Sequence, residues 1–278
     1  MTNNSPLCND LVSLQQEIRE KKPLIHCITN PISINDCANI ILAAGAKPIM
    51  AEHPAEVSRI TSLSSALAVN LGNITDVRLA SMEIAGHSAQ HNDIPAIIDL
   101  VGIACSDLRL DFAKKFIKNC KPAVIKGNIS ELKALAGAEN DAKGIDAGEN
   151  DAINRTSITT NLDLLKKLAK QSGAVIVATG AADLITDGKR SFLGENGTEM
   201  LANITGTGCM LNALTAAYLA SDKSSLTASL AAICVMGISG ELAAKKAHGP
   251  GTFRAALLDE VYNRKELEFK TRLRLSEI

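Results

Sequence analysis

Short, almost wholly apolar runs bounded by turn residues constrain this chain more than any other feature. Residues 24–28, 66–71, 96–100, 123–125 and 174–178 scarcely alternate between apolar and polar side chains. A strand with one face in water alternates, whereas a strand covered by helices on both faces does not. Helical patterns lie between the runs. Residues 34–44 place Ala38, Ile41 and Leu42 on one predicted face, and residues 76–90 and 157–170 follow the same period. Strand and helix alternating over this length predict an α/β fold with a mainly parallel sheet.

The last third changes character. A hairpin is predicted over residues 183–192, with Asp187-Gly188 as its turn. Helices are predicted over 209–220, 225–247 and 252–269, the first two dense in Ala, Ser and Gly, which lets helices approach closely. Residues 137–154 are rich in Gly, Asn and Asp. Because alternation resumes after them, they read as a surface loop within one domain spanning 1–278.

Composition narrows the class. Hydrophobic residues make up 46% and charged residues 21%, but aromatics only 3%, with no Trp. The core is therefore expected to be built from Ala, Ile, Leu and Val. A net charge of -1 carries no electrostatic footprint of a nucleic-acid binder or a polybasic membrane anchor. The basic density at 264–265 and 270–274 is interrupted by Glu266 and Glu268 and reads as a solvated helix face. Seven cysteines without a C-x-x-C pair argue against a disulfide framework. The N-terminus carries Asp10, Glu17 and Glu20 rather than an apolar signal core. Apolar stretches such as 38–50 and 226–240 are interrupted before reaching membrane-spanning length. A cytoplasmic protein with no membrane partner is expected.

The strongest local signal for chemistry is Thr205-Gly206-Thr207-Gly208-Cys209, running into an apolar helix. Two glycines let successive backbone N–H groups converge, and the helix N-terminus adds its free donors and positive dipole end. Such a turn suits a phosphate or the charge developing in phosphoryl transfer. It equally suits a plain helix start capped by Thr207. The chain has neither a G-x-x-x-x-G-K-[ST] loop nor a well-placed dinucleotide fingerprint. Cys209 at this N-terminus is expected to have a lowered thiol pKa.

Carboxylates at strand ends form a second set. Asp99 closes one apolar run and Glu131 follows Lys126-Gly127-Asn128. At the carboxyl edge of a parallel sheet such a pair can hold Mg²⁺ through waters. The alternative is that Asp99 caps a turn and Glu131 starts a helix. A third cluster, His26-Cys27-Ile28-Thr29-Asn30-Pro31, either orients a small polar ligand or caps the helix near Ile34. His53, His87, His91 and His248 show no shared metal-ligand spacing.

Taken together, these segments resemble the hydroxyethylthiazole kinase family. The resemblance rests on residues 26–30, 43–50 (Ala-Ala-Gly-Ala-Lys-Pro-Ile-Met) and Asn70-Leu71-Gly72-Asn73. It continues through Ile125-Lys126-Gly127-Asn128 with Glu131, residues 144–149, Thr179-Gly180, the Gly-rich loop ending in Cys209, and Gly249-Pro250-Gly251. It is collinear over about residues 23–251.

The resemblance implies a ribokinase-like α/β fold. It also implies ATP-dependent phosphorylation of 4-methyl-5-(2-hydroxyethyl)thiazole, a salvage step toward thiamine, with Mg²⁺. A homotrimer with sites at subunit interfaces is implied as well. Carried over motif by motif, Met50 and Asn30 line the thiazole pocket with Gly206 close by. Lys126 and Thr179 contact ATP, and Asp99 and Glu131 serve Mg²⁺. Cys209 takes the place where related ribokinase-like enzymes carry a catalytic Asp.

This chain departs from the family pattern at three places. Lys126 replaces Arg, Leu100-Val101-Gly102-Ile103-Ala104 replaces Pro-Val-Gly-Ala-Gly, and Ala181 replaces Glu. Two other readings stay open: another ribokinase-like enzyme (a hydroxymethylpyrimidine or pyridoxal kinase, or a nucleotide-assisted dehydratase), or a non-catalytic thiazole-binding member.

Overall fold

The computed structural model describes residues 5–138, 158–221 and 223–278. The predicted surface loop at 137–154 lies outside them except for its first two residues, as does the 144–149 motif. The elements in chain order are α1 (Pro6–Lys21), β1 (Leu24–Ile28), α2 (Ile34–Ala44), β2 (Lys47–Ile49), α3 (Val57–Ser62), β3 (Ala66–Asn70) and α4 (Asp76–His91). Then come β4 (Ala96–Asp99), α5 (Asp107–Cys120), β5 (Val124–Asn128), α6 (Ile129–Leu135), α7 (Ile158–Ser172) and β6 (Val175–Thr179). The last third holds β7 (Asp183–Thr186), β8 (Ser191–Gly194), α8 (Thr207–Leu219), α9 (Ser225–Lys246), α10 (Pro250–Asn263), α11 (Glu266–Arg272) and β9 (Leu275–Glu277).

The strands form one sheet in the order β2-β1-β3-β4-β5-β6-β7-β8-β9. The pairs from β2 to β6 are parallel, and those from β6 to β9 are antiparallel. Successive strand residues enter opposite layers, as a period of two requires. Ile25, Cys27, Ala66, Ala68, Ile97, Val124 and Val175 join one core with side chains of α1, α2, α8, α9 and α10. Ile28, Leu67, Val69, Ile98, Ile125 and Ile176 join the other, with α4, α5, α6 and α7. Both cores are apolar, so the missing alternation in the sequence has its cause here.

After β1 the chain turns back toward β2, and after β3 it proceeds to β4. The sheet therefore switches direction between β1 and β3. In open α/β sheets the crevice beyond such strand ends is where ligands bind.

Several expectations change. The predicted α2 face is rotated: Ile41 is buried as expected, but Leu42 is 52% exposed and Cys37, Ile40 and Ala44 are buried with Ile41. The helix expected over 252–269 is two helices. Arg264 leaves helical geometry (ψ 127), and its guanidinium Nε donates to Gln15 Oε1 at 2.6 Å. It is not part of a solvated face, whereas Lys270–Glu266 and Arg272–Glu268 do form surface pairs along α11. Finally, α9 runs uninterrupted for 22 residues and is long and apolar enough to cross a membrane. It is buried among α1, α8 and α10 as the central core helix.

Candidate active site

Parallel register places Asn70 of β3 beside Asp99 of β4, and Asp99 beside Lys126 of β5. Asn70 and Asp99 thus end two neighbouring strands at the carboxyl edge, and Lys126 lies beside them within β5. All are buried, and they satisfy one another. Lys126 Nζ lies 3.0 Å from Asp99 Oδ2, and Asn70 Nδ2 donates to the same oxygen at 2.8 Å. Burial pushes the Asp99 carboxyl above its ordinary pKa, and Lys126 and Asn70 offset only part of that. Burial opposes the Lys126 charge, yet Asp99 outweighs it and holds the ammonium above the usual lysine value.

Glu131 sits in the first turn of α6, directly after β5. Its N–H donates to Asn128 Oδ1 and its own Oε2 accepts from Asn128 N at 2.7 Å, a capping box that starts α6. Its Oε1 reaches across to accept from Gly102 N at 2.8 Å. Burial first, and then the charge of Asp99, pushes Glu131 up to about 7 against those backbone donors. So Glu131 does start a helix, and it also belongs to the carboxylate cluster. Asp99 caps nothing.

The Gly-rich loop closes this cluster from above. Gly206 is the N-cap of α8 at φ +92, and no side chain caps the helix. Thr207, the expected cap, donates instead to Leu201 O at 2.8 Å. A Cβ on Gly208 would stand 3.6 Å from Lys126 Nζ. The ammonium therefore sits at the foot of an uncapped helix N-terminus, and both favour an anion.

Cys209 accepts from Asn70 Nδ2 at 3.4 Å. Its thiol pKa is not lowered. Burial, reinforced by the Asp99 charge, pushes it up to about 11, overriding the helix dipole.

The residues expected to line a substrate pocket are Asn30, after β1, and Met50, after β2. Asn30 Oδ1 accepts from Ile32 N at 3.1 Å, capping a single turn of 3₁₀ helix before α2, and from Asn73 Nδ2 at 3.1 Å. Met50 is half-buried after β2 and packs on the larger core. The neighbouring Ala51 carbonyl is fixed by His26 Nε2 at 2.9 Å. On the far side, Thr179 is opposite Asn128 and donates to Gly127 O at 3.5 Å. Gly180 N donates to Asp183 Oδ1 at 3.1 Å, so Asp183 shapes the turn that contains Ala181. A groove of about 410 Å³ lined by Lys114, Lys118, Lys121 and Leu168 lies near the opposite sheet edge and includes none of these residues.

Of the sequence-derived residues, Asp99, Lys126, Glu131 and Cys209 share one cluster, with Gly206 above it. Asn30 lies at the crevice, Met50 follows the edge strand β2, and Thr179 lies beyond β5. Asn70 was absent from that set although it touches both Asp99 and Cys209. Its signal was an Asn closing an apolar strand just before Leu71-Gly72.

The sequence pattern of the hydroxyethylthiazole kinase family matches residues 15–266. The chain belongs to that family. It is 55% identical over 252 residues to hydroxyethylthiazole kinase 2 of Clostridium botulinum (strain Hall), covering 91% of this chain and 94% of that one. The solved hydroxyethylthiazole kinase of Pyrococcus horikoshii OT3 superposes with a TM-score of 0.87 at 30% identity, covering 96% and 98% of the two chains. A ribokinase-like superfamily protein from Enterococcus faecalis V583 superposes with a TM-score of 0.63 at 14% identity, covering 90% and 93%, which shows the shared fold. A hydroxyethylthiazole kinase family member is a kinase, and the uncapped α8 N-terminus beside Lys126 is the part of this fold suited to phosphate.

Proposed function

We propose that this enzyme transfers the terminal phosphoryl group of ATP to the hydroxyl of 4-methyl-5-(2-hydroxyethyl)thiazole, in the supply of thiamine. The observation that carries this reading is the buried Asn70–Asp99–Lys126 row beneath the uncapped α8 N-terminus, with Cys209 at its edge. In this reading Asn30, Met50 and Gly206 receive the thiazole alcohol. Lys126 and Thr179 contact ATP, and the α8 amides take up charge on the transferring group.

The residues present suit Mg²⁺. Asp99 and Glu131 are buried carboxylates, and an ionised carboxylate offers about four lone-pair positions. The neighbouring donors occupy only some of them. Two carboxylates are also what a site completed by water and phosphate oxygens needs. When bound, the ion would neutralise phosphate charge.

Cys209 orients the alcohol in this account. With its pKa near 11 the thiol is neutral at ordinary pH, so it is a poor base. A loose phosphoryl-transfer transition state demands little early proton removal. The family resemblance also supports a homotrimer and a cytoplasmic setting. Exposed Ile32 and Leu42, on the chain that leaves β1, are apolar surface suited to a subunit contact beside Asn30.

The test is ADP release by the purified chain with Mg²⁺, ATP and the thiazole alcohol. Saturable release that depends on the alcohol is expected. Saturable thiazole binding without release would favour the non-catalytic reading.

A further inference from the structure

Arg78 is the most unusual charged residue outside the cluster. It sits in the first turn of α4, a position where side chains commonly reach solvent, yet it is only 3% exposed. Burying a guanidinium is costly unless its donors are satisfied. Here the two terminal nitrogens are spent on carbonyls. Nη1 donates to Gly72 O at 3.0 Å and to Asn73 O at 2.6 Å, and Nη2 donates to Thr29 O. Nε faces the half-exposed Glu52 carboxylate at 3.4 Å. A planar, permanently charged fork is the side chain that can serve three carbonyls at once.

Those carbonyls belong to the two chain segments that leave β1 and β3, on either side of the switch point. What they carry is the acceptor pocket. Thr29 precedes Asn30. Asn73, held in left-handed geometry at φ +48, donates to Asn30 Oδ1. Gly72 N donates to Asn70 Oδ1 at 2.8 Å, which turns the Asn70 amide toward Asp99 and Cys209. Asn30 packs so closely on Gly72 that a Cβ there would fall 2.5 Å from its Nδ2. On the third side Ser81, also on α4, donates to Glu52 O at 2.7 Å, fixing the segment after Met50. Arg78 therefore ties together the segments bearing Asn30, Asn70 and Met50. None of its contacts runs toward Thr179 or Glu131.

We infer that Arg78 is a positioning residue for the acceptor alcohol, setting the β1/β3 crevice without touching the reacting atoms. The inference rests on the proposed placement of the alcohol at that crevice.

The test is steady-state kinetics of the full-length enzyme with Mg²⁺, varying alcohol and ATP separately, for wild type, Arg78→Lys, Arg78→Gln and Glu52→Gln. Arg78→Gln is expected to raise KM for the alcohol at least tenfold while KM for ATP stays within twofold. Arg78→Lys should fall between Gln and wild type, and Glu52→Gln should raise the alcohol KM two- to fivefold. Equal rises in both KM values would overturn the inference, as would a lowered Tm with an unchanged alcohol KM. If the Gln variant does not fold, the Lys and Glu52 variants decide by the same split. Failure of the wild type on the thiazole alcohol counts against the proposed substrate alone. The split is then read with whichever alcohol the wild type accepts.

Discussion

Asn70 Nδ2 donates to Cys209 Sγ at 3.4 Å, and to Asp99 Oδ2 at 2.8 Å. The amide cannot be turned over, because its oxygen accepts from Gly72 N. The sulfur at the head of α8 is thus an acceptor held beside a buried carboxylate, an environment that favours the neutral thiol.

That arrangement predicts the behaviour of Cys209 variants. Cys209→Ala should keep about 1–10% of wild-type kcat, a loss of about 1.4–2.7 kcal/mol. Cys209→Asp should stay active. The kcat profile of wild type should show no thiol limb below about pH 10, because the thiol titrates at about 11. Abolished turnover in both variants would contradict an orienting role.

Lys126 and Asp99 form a buried pair at 3.0 Å, so removing one partner strands the other. Lys126→Met should lower unfolding stability by about 3–5 kcal/mol at neutral pH. The loss should shrink in acid, where Asp99 takes up a proton. Adding Asp99→Asn should recover more than half of the stability and none of the activity. Denaturant unfolding of the single and double variants measures this, and equal stabilities for the two would contradict the pairing.

The architecture was more legible than the site. Two-sided burial removes alternation, so β1, β3, β4, β5 and β6 stood out as apolar runs. Short edge elements did not, since β2 and β9 have three residues each and little burial to mark them. The break between α10 and α11 coincides with a tertiary contact, Arg264 to Gln15, which local periodicity cannot register. In the candidate site, Asp99, Lys126, Glu131 and Cys209 were singled out from strand ends, the Gly-rich loop and the family resemblance, and the structure brings them together. Asn70 and Arg78 were not among them, because their contacts come from strand register and from backbone carbonyls. The direction of the Cys209 shift was misjudged because a helix terminus is visible in sequence, whereas burial beside Asp99 is not.

His26 gives a pH dependence separate from the Asn70–Asp99–Lys126 cluster. Its Nε2 must carry the proton, since it faces the Ala51 carbonyl, and Nδ1 accepts from Thr61 Oγ1 at 2.8 Å. Burial lowers its pKa below the ordinary 6.5. Between the folded and unfolded values the unfolded chain binds more protons. The stability His26 contributes is therefore present above about pH 6.5 and lost as pH falls through its folded pKa. Unfolding midpoints should show His26→Gln less stable than wild type at pH 8, with the gap narrowing at pH 5. A gap that widens in acid would contradict the neutral, buried imidazole.

Gly206 combines left-handed backbone with a close neighbour. At φ +92 any side chain is strained, and a Cβ would meet Ser33 Cβ at 2.8 Å. Gly206→Ala should lower stability by about 1–3 kcal/mol and kcat by about a hundredfold or more, about 2.7 kcal/mol on the barrier. Calorimetry together with turnover tests this. Wild-type kcat in a destabilised variant would mean the loop is structural only.

The most direct test of the proposed activity is a competition. Purified enzyme, Mg²⁺ and ATP are incubated with equimolar hydroxyethylthiazole, hydroxymethylpyrimidine and pyridoxal, and the products are weighed by mass spectrometry. The account predicts phosphorylated thiazole as the dominant product. Phosphorylation of only the pyrimidine or pyridoxal would contradict it.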